Sequence, residues 1–311
     1  MGQEITGRPR GSRPDRPLRR RGDEMTKHTP VSAGTPARDP ASPPSSPDRE
    51  TSTGVSTQAG SGFDRHGITH LSPSSLNLWI NAPALWVAEK IFGRRGAQSA
   101  AMARGVAVED AVVAVVAKGQ TAEAAINAAT RRFDGRFFMA DERTTKERDV
   151  IAPMVEQALK VVAPLGAPEF PEEGQNKVEL ICNCGSFKIP FIGYLDLFYP
   201  QHGRVIDIKS TLRMPSRMTP GHQLQRAIYA RAMGNSSVEF LYVSPSKSAL
   251  LADGDVASIL ARVKWQTSRL EAFLAALDRD QMRAIVPVGD SSFYWSGNEA
   301  VLTEEFGAPT P

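Results

Sequence analysis

Two aspartates and a lysine lie in two neighbouring apolar segments near the middle of the 311-residue chain. Asp196 lies in the first segment, a predicted strand over residues 187–198, and Asp207 and Lys209 lie in the second, Val205–Ser210. Because successive side chains of a strand point to opposite faces, Asp207 and Lys209 are predicted to share one face. Carboxylates hold hard divalent cations, and an ammonium group beside them can stabilise charge on a water or a scissile phosphate. The pattern indicates phosphodiester chemistry.

A third carboxylate, Glu109, lies in a predicted helix over residues 99–118 and is surrounded by valines. A buried carboxylate without a partner is costly, so Glu109 is expected to share a cation with Asp196 and Asp207. One alternative is that Glu109 pairs with Arg104 at the surface. Another is that its neighbour Asp110 is the residue that points inward.

A further helix is predicted from Thr219 to Met233. Gln225 and Tyr229 are four residues apart and therefore share one face of it. The alternative is that Tyr229 is a buried tyrosine with an ordinary structural hydrogen bond. His222, one turn earlier, is expected to have no special role.

The basic residues are unevenly distributed. Residues 1–66 hold 11 Lys or Arg against 8 Asp or Glu, which accounts for the whole net charge of +3. The folded part is therefore neutral, and bulk charge does not argue for nucleic-acid binding. Between Lys209 and Val238, however, there is no acidic residue, whereas Lys209 and four arginines occur. We expect three of these arginines to contact DNA phosphates: Arg213, Arg217 and Arg226.

Four motifs occur in a characteristic order. They are the helix start 71–76 with Ala82-Pro83, the segment Arg104–Glu109, the Asp196 and Asp207-Ile208-Lys209 pair of strands, and Gln225-x-x-x-Tyr229. In this order they resemble the PD-(D/E)XK nuclease superfamily, in particular its RecB-like and Cas4-like exonuclease branch. The resemblance spans residues 71 to 295.

The resemblance implies an α/β fold in which helices flank a mixed central sheet with a restriction-endonuclease-like core. It also implies a Mg²⁺ or Mn²⁺ ion, and a Lys209 that positions or deprotonates a water. Gln225 and Tyr229 would orient the substrate or the lysine. The metal ligands would be Glu109, Asp196, Asp207 and the carbonyl of Ile208.

An iron–sulfur cluster, which some members of this branch carry, is not expected. It requires four thiolates, the first near Ala82 and the others near residues 291–296. The chain has only Cys182 and Cys184, which are expected in a hairpin.

The implied function is DNA exonuclease activity in recombination, repair or phage DNA processing. An endonuclease or structure-specific nuclease on the same scaffold is one alternative, and a non-catalytic DNA-binding subunit is another. Candidate protein partners are a recombinase, a single-strand-binding protein or a helicase. No apolar run could span a membrane, and a cytoplasmic location in a bacterium or a phage-infected host is expected.

Three segments are predicted from composition. Residues 1–66, rich in Pro, Ser and Arg, form a disordered tail because they cannot bury enough apolar surface. Residues 67–305 form a single nuclease domain with a helical insertion at about 120–165, in which helices are predicted at 121–133 and 142–162. Residues 306–311 form a loose C-terminus.

Overall fold

The computed structural model describes residues 60–96, 98–137, 141–170, 176–234, 236–289, 295 and 297–307. The chain divides into two compact units between residues 55 and 56, and every described residue belongs to the second unit. The predicted tail up to residue 59 and the predicted C-terminal residues 308–311 lie outside the described residues. So do the positions 291–294 and 296 that were compared with iron–sulfur cysteines.

Six strands in the described part of the chain form two sheets. They are β1 (Asn176–Asn183), β2 (Lys188–Leu195), β3 (Leu197–Tyr199), β4 (Arg204–Ser210), β5 (Ser237–Val243) and β6 (Ser248–Leu251). β1 and β2 form an antiparallel hairpin. The second sheet has the order β3-β4-β5-β6, in which β4 and β5 run parallel and the outer pairs run antiparallel.

Helices pack on both faces of the four-stranded sheet. The described helices are α1 (Gly62–Arg65), α2 (Pro73–Asn81), α3 (Pro83–Lys90), α4 (Ala100–Val116), α5 (Ala122–Asp134), α6 (Glu142–Asp149), α7 (Ile151–Val162), α8 (Pro220–Ala232), α9 (Val256–Ala276), α10 (Arg279–Ile285) and α11 (Glu299–Phe306). Ser99, Thr219 and Asp255 cap α4, α8 and α9 by accepting a hydrogen bond from the helix backbone. The helices predicted to begin at Ser99 and Thr219 are confirmed.

The alternation of side chains along β4 separates two apolar cores. Ile206 and Ile208 pack with α4, α5 and α7, whereas Val205 packs with α2, α8 and α9. The predicted mixed α/β fold with flanking helices is confirmed. α7 is fully part of the first core, because Ile151 and Met154 are completely buried. The segment 120–165, predicted as an insertion, therefore builds one face of the domain.

Three predicted boundaries are wrong. The tail predicted to reach residue 66 ends earlier, because α1 is capped by Ser61 and buries Phe63. The single helix predicted from Glu142 to Val162 is two helices, because Pro153 has no N–H for a continuous helix and is tolerated only in the first turn of α7. The C-terminal segment was predicted to be loose from residue 306, but Phe306 is the last residue of α11.

The predicted strand 187–198 is interrupted at Asp196. β2 ends at Leu195 and pairs with β1, and β3 begins at Leu197 and pairs with β4. The bend at Asp196 carries the chain from one sheet to the other. No helix among the described residues is long and apolar enough to cross a membrane.

Candidate active site

Asp207 and Lys209 lie on the face of β4 that α8 covers, as the alternation predicted. Asp207 is 1% exposed, and its carboxylate forms an ion pair with the Lys209 ammonium. The Lys209 ammonium also lies 5.2 Å from the centre of the Phe240 ring on the neighbouring strand β5. The Lys209 side chain keeps 24% exposure, so the site opens to solvent at this residue.

Asp196 reaches the same position from the bend between β2 and β3. Its Oδ2 accepts a hydrogen bond of 2.7 Å from the backbone N–H of Ile208. Since Ile208 lies between Asp207 and Lys209, this bond fixes one carboxyl group against the strand that carries the other. Ile208, whose carbonyl was predicted as a metal ligand, thus donates its N–H to Asp196. Its side chain lies in the core on the opposite face of the sheet.

Glu109 approaches from α4, on the other face of the sheet, and its side chain hydrogen-bonds Asp196. Asp110 is exposed and pairs with Arg132 at 3.3 Å, so the alternative that Asp110 points inward is wrong. The alternative that Glu109 pairs with Arg104 is also wrong, because Arg104 pairs with Glu147. The three carboxyl groups predicted to meet are together at the edge of the sheet between β3 and β4.

Gln225 and Tyr229 share the face of α8 that lies on the site. The Gln225 side-chain amide donates to Asp207 Oδ1 at 3.0 Å and to the Tyr229 hydroxyl at 3.1 Å. The Tyr229 hydroxyl in turn donates to the Tyr194 carbonyl at 3.1 Å. This series of hydrogen bonds ties Asp207 to the β1–β2 hairpin and restricts its orientation.

The acidic groups raise one another's proton affinity. Burial raises the pKa of Asp196 well above its ordinary value, and the nearby Asp207 and Glu109 raise it further. Burial likewise raises the pKa of Glu109 and of Asp207, although the Lys209 ammonium opposes the rise in both. Burial alone would lower the pKa of Lys209, but the charges of Asp207 and Asp196 outweigh it, and that pKa lies above its ordinary value. The cluster is therefore short of positive charge.

The chemistry of the donor set, rather than its present arrangement, fits a divalent cation. No group of three or more His, Cys, Asp and Glu side chains among the described residues could hold a metal ion as arranged. The chemistry of the donors nevertheless fits a hard cation, because the cluster comprises three carboxyl groups with raised pKa values. In addition, Asp207 Oδ2 is buried, and the Lys209 ammonium is its partner for charge among the described residues. Glu109, Asp196 and Asp207 are therefore the residues that would hold the ion.

Comparison with known families decides the identity of the fold. The PD-(D/E)XK nuclease superfamily model matches residues 70–286, more than half of the chain. The chain belongs to the PD-(D/E)XK nuclease superfamily. Members of this superfamily are nucleases that typically use divalent metal ions.

Other comparisons add little. No curated protein matches the chain significantly. Among solved structures, the crystal structure of SSO0001 is similar at 17% identity and a TM-score of 0.30, over 52% of this chain and 74% of that chain. A likeness of this size has no bearing on function.

The three arginines predicted to bind phosphates differ in position in this PD-(D/E)XK protein. Arg213 and Arg217 are exposed on the loop between β4 and α8. Arg226 instead donates to the backbone carbonyls of Val238 at 2.9 Å, Gly254 at 3.2 Å and Asp253 at 3.4 Å. These bonds engage Nε and Nη1 of Arg226 in joining α8 to the ends of β5 and β6, and its contact with DNA stays a prediction.

A buried ion pair next to the acid cluster was missed by the sequence reasoning. Arg104 pairs with Glu147 of α6, and both side chains are at most 8% exposed. Arg104 also donates to the hydroxyl and the carbonyl of Ser210, each at 3.2 Å, and so holds the end of β4. Arg104 lies within a recognised motif, but no local pattern identifies Glu147, which is 43 residues away.

A second pair was also missed. His222 Nδ1 and the Tyr242 hydroxyl lie 2.5 Å apart beside the PD-(D/E)XK acid cluster. The spacing of three residues between His222 and Gln225 could have indicated that His222 shares the site face of α8.

Proposed function

We propose that this chain is a metal-dependent deoxyribonuclease that degrades DNA from an end. The observation that carries the proposal is the meeting of three carboxyl groups and Lys209 at one edge of the sheet. Asp196 comes from the bend between β2 and β3, Asp207 comes from β4, and Glu109 comes from a helix on the opposite face. Family membership makes nuclease chemistry the function that best fits this cluster.

The chain's own residues define the steps they would perform. Glu109, Asp196 and Asp207, with the Ile208 carbonyl, would hold a Mg²⁺ or Mn²⁺ ion. When bound, such an ion lowers the pKa of a coordinated water and neutralises charge that develops on the phosphate. Gln225 keeps Asp207 in place through its 3.0 Å hydrogen bond.

Lys209 has a distinct role in the proposal. Its raised pKa keeps the ammonium protonated at neutral pH, so it acts as a fixed positive charge that positions the attacking water and stabilises the phosphate. The protonated form has no lone pair, which argues against Lys209 as the base while Asp207 is its partner. The resemblance implied that Lys209 either positions or deprotonates a water, and we propose that it positions the water.

DNA contacts are assigned to the loop between β4 and α8. Arg213 and Arg217 are exposed there, directly after the strand that carries Asp207 and Lys209. Arginine contacts to phosphates position a nucleic acid without reading its sequence. We therefore expect little base specificity from this loop.

The end-dependent mode rests on the RecB-like order of motifs, in which Gln225 and Tyr229 form part of the pattern. An endonuclease or structure-specific nuclease on the same scaffold is the second candidate. The proposed setting is DNA recombination, repair or phage DNA processing in the cytoplasm of a bacterium or infected host. A recombinase, a single-strand-binding protein or a helicase would supply the unwinding or the loading.

The mode is tested with end-labelled linear DNA, single- and double-stranded, beside a closed circle of the same sequence. Wild-type protein is expected to degrade the linear DNA with Mg²⁺ or Mn²⁺ but not with EDTA, and to leave the circle intact. Cleavage of the circle at a comparable rate would replace the exonuclease with an endonuclease. Binding of DNA without cleavage of any substrate would favour a non-catalytic subunit.

A further inference from the structure

His222 extends the functional face of α8 by one turn. His222, Gln225 and Tyr229 have the spacing i, i+3 and i+7, which places them along one side of a helix. Gln225 hydrogen-bonds Asp207, and the charge of Lys209 acts on His222. Gln225 therefore lies over Asp207, and His222, one turn earlier on α8, lies near Lys209 at the open end of the site.

The strand beneath supports this placement. Tyr242 on β5 is the register partner of Lys209 on β4. Its hydroxyl lies 2.5 Å from His222 Nδ1, and the two rings are 5.5 Å apart. The centre of the Phe240 ring, whose residue is the register partner of Asp207, lies 5.6 Å from the centre of the imidazole. The ring of His222 thus contacts two aromatic side chains of β5, the strand next to β4.

The contacts of Tyr242 determine where the proton of the imidazole lies. Burial raises the pKa of Tyr242 to about 12, against the opposing effect of a hydrogen bond from the Thr219 backbone. The phenol is therefore protonated, its oxygen accepts from Thr219, and its own O–H can donate to His222 Nδ1. Burial lowers the pKa of His222 to about 4, with a smaller effect of Lys209, so the ring is neutral near pH 7. A neutral ring that accepts at Nδ1 carries its proton on Nε2.

The Nε2 donor is left for another molecule. No hydrogen bond to His222 Nε2 is found among the described residues, and the side chain is only half-buried. The exposed Arg213 and Arg217 lie on the loop that ends at the start of α8, just before His222. A phosphate held by that loop would meet an N–H donor here.

We propose that His222 Nε2 donates a hydrogen bond to one backbone phosphate of the bound DNA strand, and that Tyr242 fixes the tautomer that makes this possible. The inference rests on the proposed function, since it assigns a further substrate contact to the same site. His222 touches the substrate, whereas Tyr242 acts through His222 as a positioning residue.

Four variants test the pair by their affinity for a fluorescent DNA strand in Ca²⁺, measured by anisotropy. His222→Ala is expected to weaken binding roughly 10-fold, because it removes a donor to a charged acceptor. His222→Gln, which keeps an N–H donor, is expected to recover part of the loss. Tyr242→Phe should give a smaller loss, and the double variant Tyr242→Phe/His222→Ala should bind no worse than His222→Ala alone. Equal binding by wild type and His222→Ala would overturn the proposal.

Matched controls separate this contact from general effects. Tyr199→Phe also removes a buried hydroxyl, but that hydroxyl has no hydrogen-bond partner among the described residues, so DNA affinity should not change. The dependence of affinity on salt should be the same in His222→Ala as in wild type, because a neutral donor releases no counterion. Arg213→Ala, in contrast, should lower the salt slope by about 1. A reduced salt slope in His222→Ala would contradict a neutral donor.

The decisive experiment is a scan in which each phosphate of the strand is replaced in turn by methylphosphonate. Wild type should lose affinity at several positions, and His222→Ala should be insensitive at one of them. Identical profiles for the two proteins would overturn the contact. Because the scan measures binding in Ca²⁺, its result is independent of cleavage. If the scan shows one position at which His222→Ala is insensitive while wild type cleaves no DNA with Mg²⁺ or Mn²⁺, the proposed function fails. In that case the contact between His222 and the phosphate remains.

Discussion

At the scale of single residues, the site concentrates carboxyl groups where solvent cannot screen them. Asp207 and Asp196 are 1% and 9% exposed, and Glu109 hydrogen-bonds Asp196. Lys209 supplies a single positive charge to these groups. Protons therefore compete with any cation for the cluster, and the outcome depends on pH.

This competition predicts how stability varies with pH. Because the folded-state pKa values of these acids are raised, the folded protein binds more protons than the unfolded chain above about pH 4. In EDTA, the free energy of unfolding contributed by the cluster should therefore fall as pH rises through the folded pKa values. Mn²⁺ should restore stability, and more so at pH 8 than at pH 5.5. Urea unfolding at both pH values measures the effect.

Asp207→Asn provides the control for that prediction. It removes one charge at nearly constant shape, so the stabilisation by Mn²⁺ should shrink markedly. Equal stabilisation of wild type and Asp207→Asn, or an equal effect of Mn²⁺ at both pH values, would contradict the assignment of these residues as ligands.

At this scale, the motifs predicted the members of the site but not their partners. Glu109, Asp207 and Gln225 could be named because each lies in a short pattern. The bonds of Arg226 could not be predicted, because a sequence does not show which backbone carbonyls elsewhere in the fold accept from its guanidinium.

At the scale of elements, Arg104 joins three of them. It lies on α4, pairs with Glu147 on α6 and donates to Ser210 at the end of β4. Glu147→Gln should lower the free energy of unfolding by roughly 3–5 kcal/mol, because a buried guanidinium loses its counter-charge. Replacing both partners, as Arg104→Met with Glu147→Leu, should cost less than that single change. Urea unfolding measures both.

The exposed pair of Arg132 and Asp110 is the comparison for the buried one. Arg132→Gln should change stability by less than about 1 kcal/mol, since exposed ion pairs contribute little. If Arg132→Gln and Glu147→Gln lower the free energy of unfolding by the same amount, burial does not make the Arg104–Glu147 pair more important for stability.

Gly193 determines how closely the β1–β2 hairpin can approach α8. A Cβ atom at this position would lie 2.4 Å from the Tyr229 ring and 2.7 Å from its hydroxyl oxygen. Gly193→Ala should therefore cost about 1–3 kcal/mol of stability and should reduce nuclease activity, because Tyr229 positions Gln225 against Asp207. Thermal unfolding and the rate of DNA degradation measure the two effects.

Gly105→Ala is the matched substitution. A Cβ there would meet only Ser210 Oγ, at 3.6 Å, which is an ordinary contact. Within α4 the change should stabilise the helix by about 0.5–1 kcal/mol. Loss of activity in Gly105→Ala comparable to that in Gly193→Ala would remove the steric explanation.

The elements were predictable where local rules determine them. Caps at Ser99 and Thr219 marked helix starts, and the apolar residues of 205–210 marked β4. The break at Asp196 was missed because the sequence there remains apolar, and the change of pairing partner depends on two separate sheets.

At the scale of the whole molecule, the N-terminal segment that precedes the nuclease fold is tied to it. The carboxylate of Glu271 on α9 accepts hydrogen bonds from the N–H groups of Gly62 and Phe63, at 2.5 and 3.0 Å. His66 bonds the carbonyls of Leu274 and Leu277 at the end of α9, at 3.0 and 3.1 Å. α1 and α9 thus cap each other, although residues 62–66 were predicted as part of a tail.

Truncation tests this boundary. A chain shortened to begin at Gly60 should unfold at the same urea concentration as the full chain. A chain that begins at Gly67 should lose about 3 kcal/mol or more, because it lacks the buried Phe63 side chain and both sets of caps. Equal stability of the two shortened chains would mean that α1 does not contribute to the fold.

Hydrolysis of DNA by the acid cluster with a divalent cation can be tested directly. The most direct test measures single-turnover hydrolysis of a linear DNA strand, with Mg²⁺ titrated, by wild type, Asp207→Asn and Asp110→Asn. Asp110 is next to Glu109 in the chain but exposed, so Asp110→Asn should cleave like wild type. Asp207→Asn should lose at least 100-fold in rate, by analogy with the loss of other buried transition-state contacts. Equal rates for Asp207→Asn and wild type, or full activity in EDTA, would mean that the acid cluster and its cation do not hydrolyse DNA.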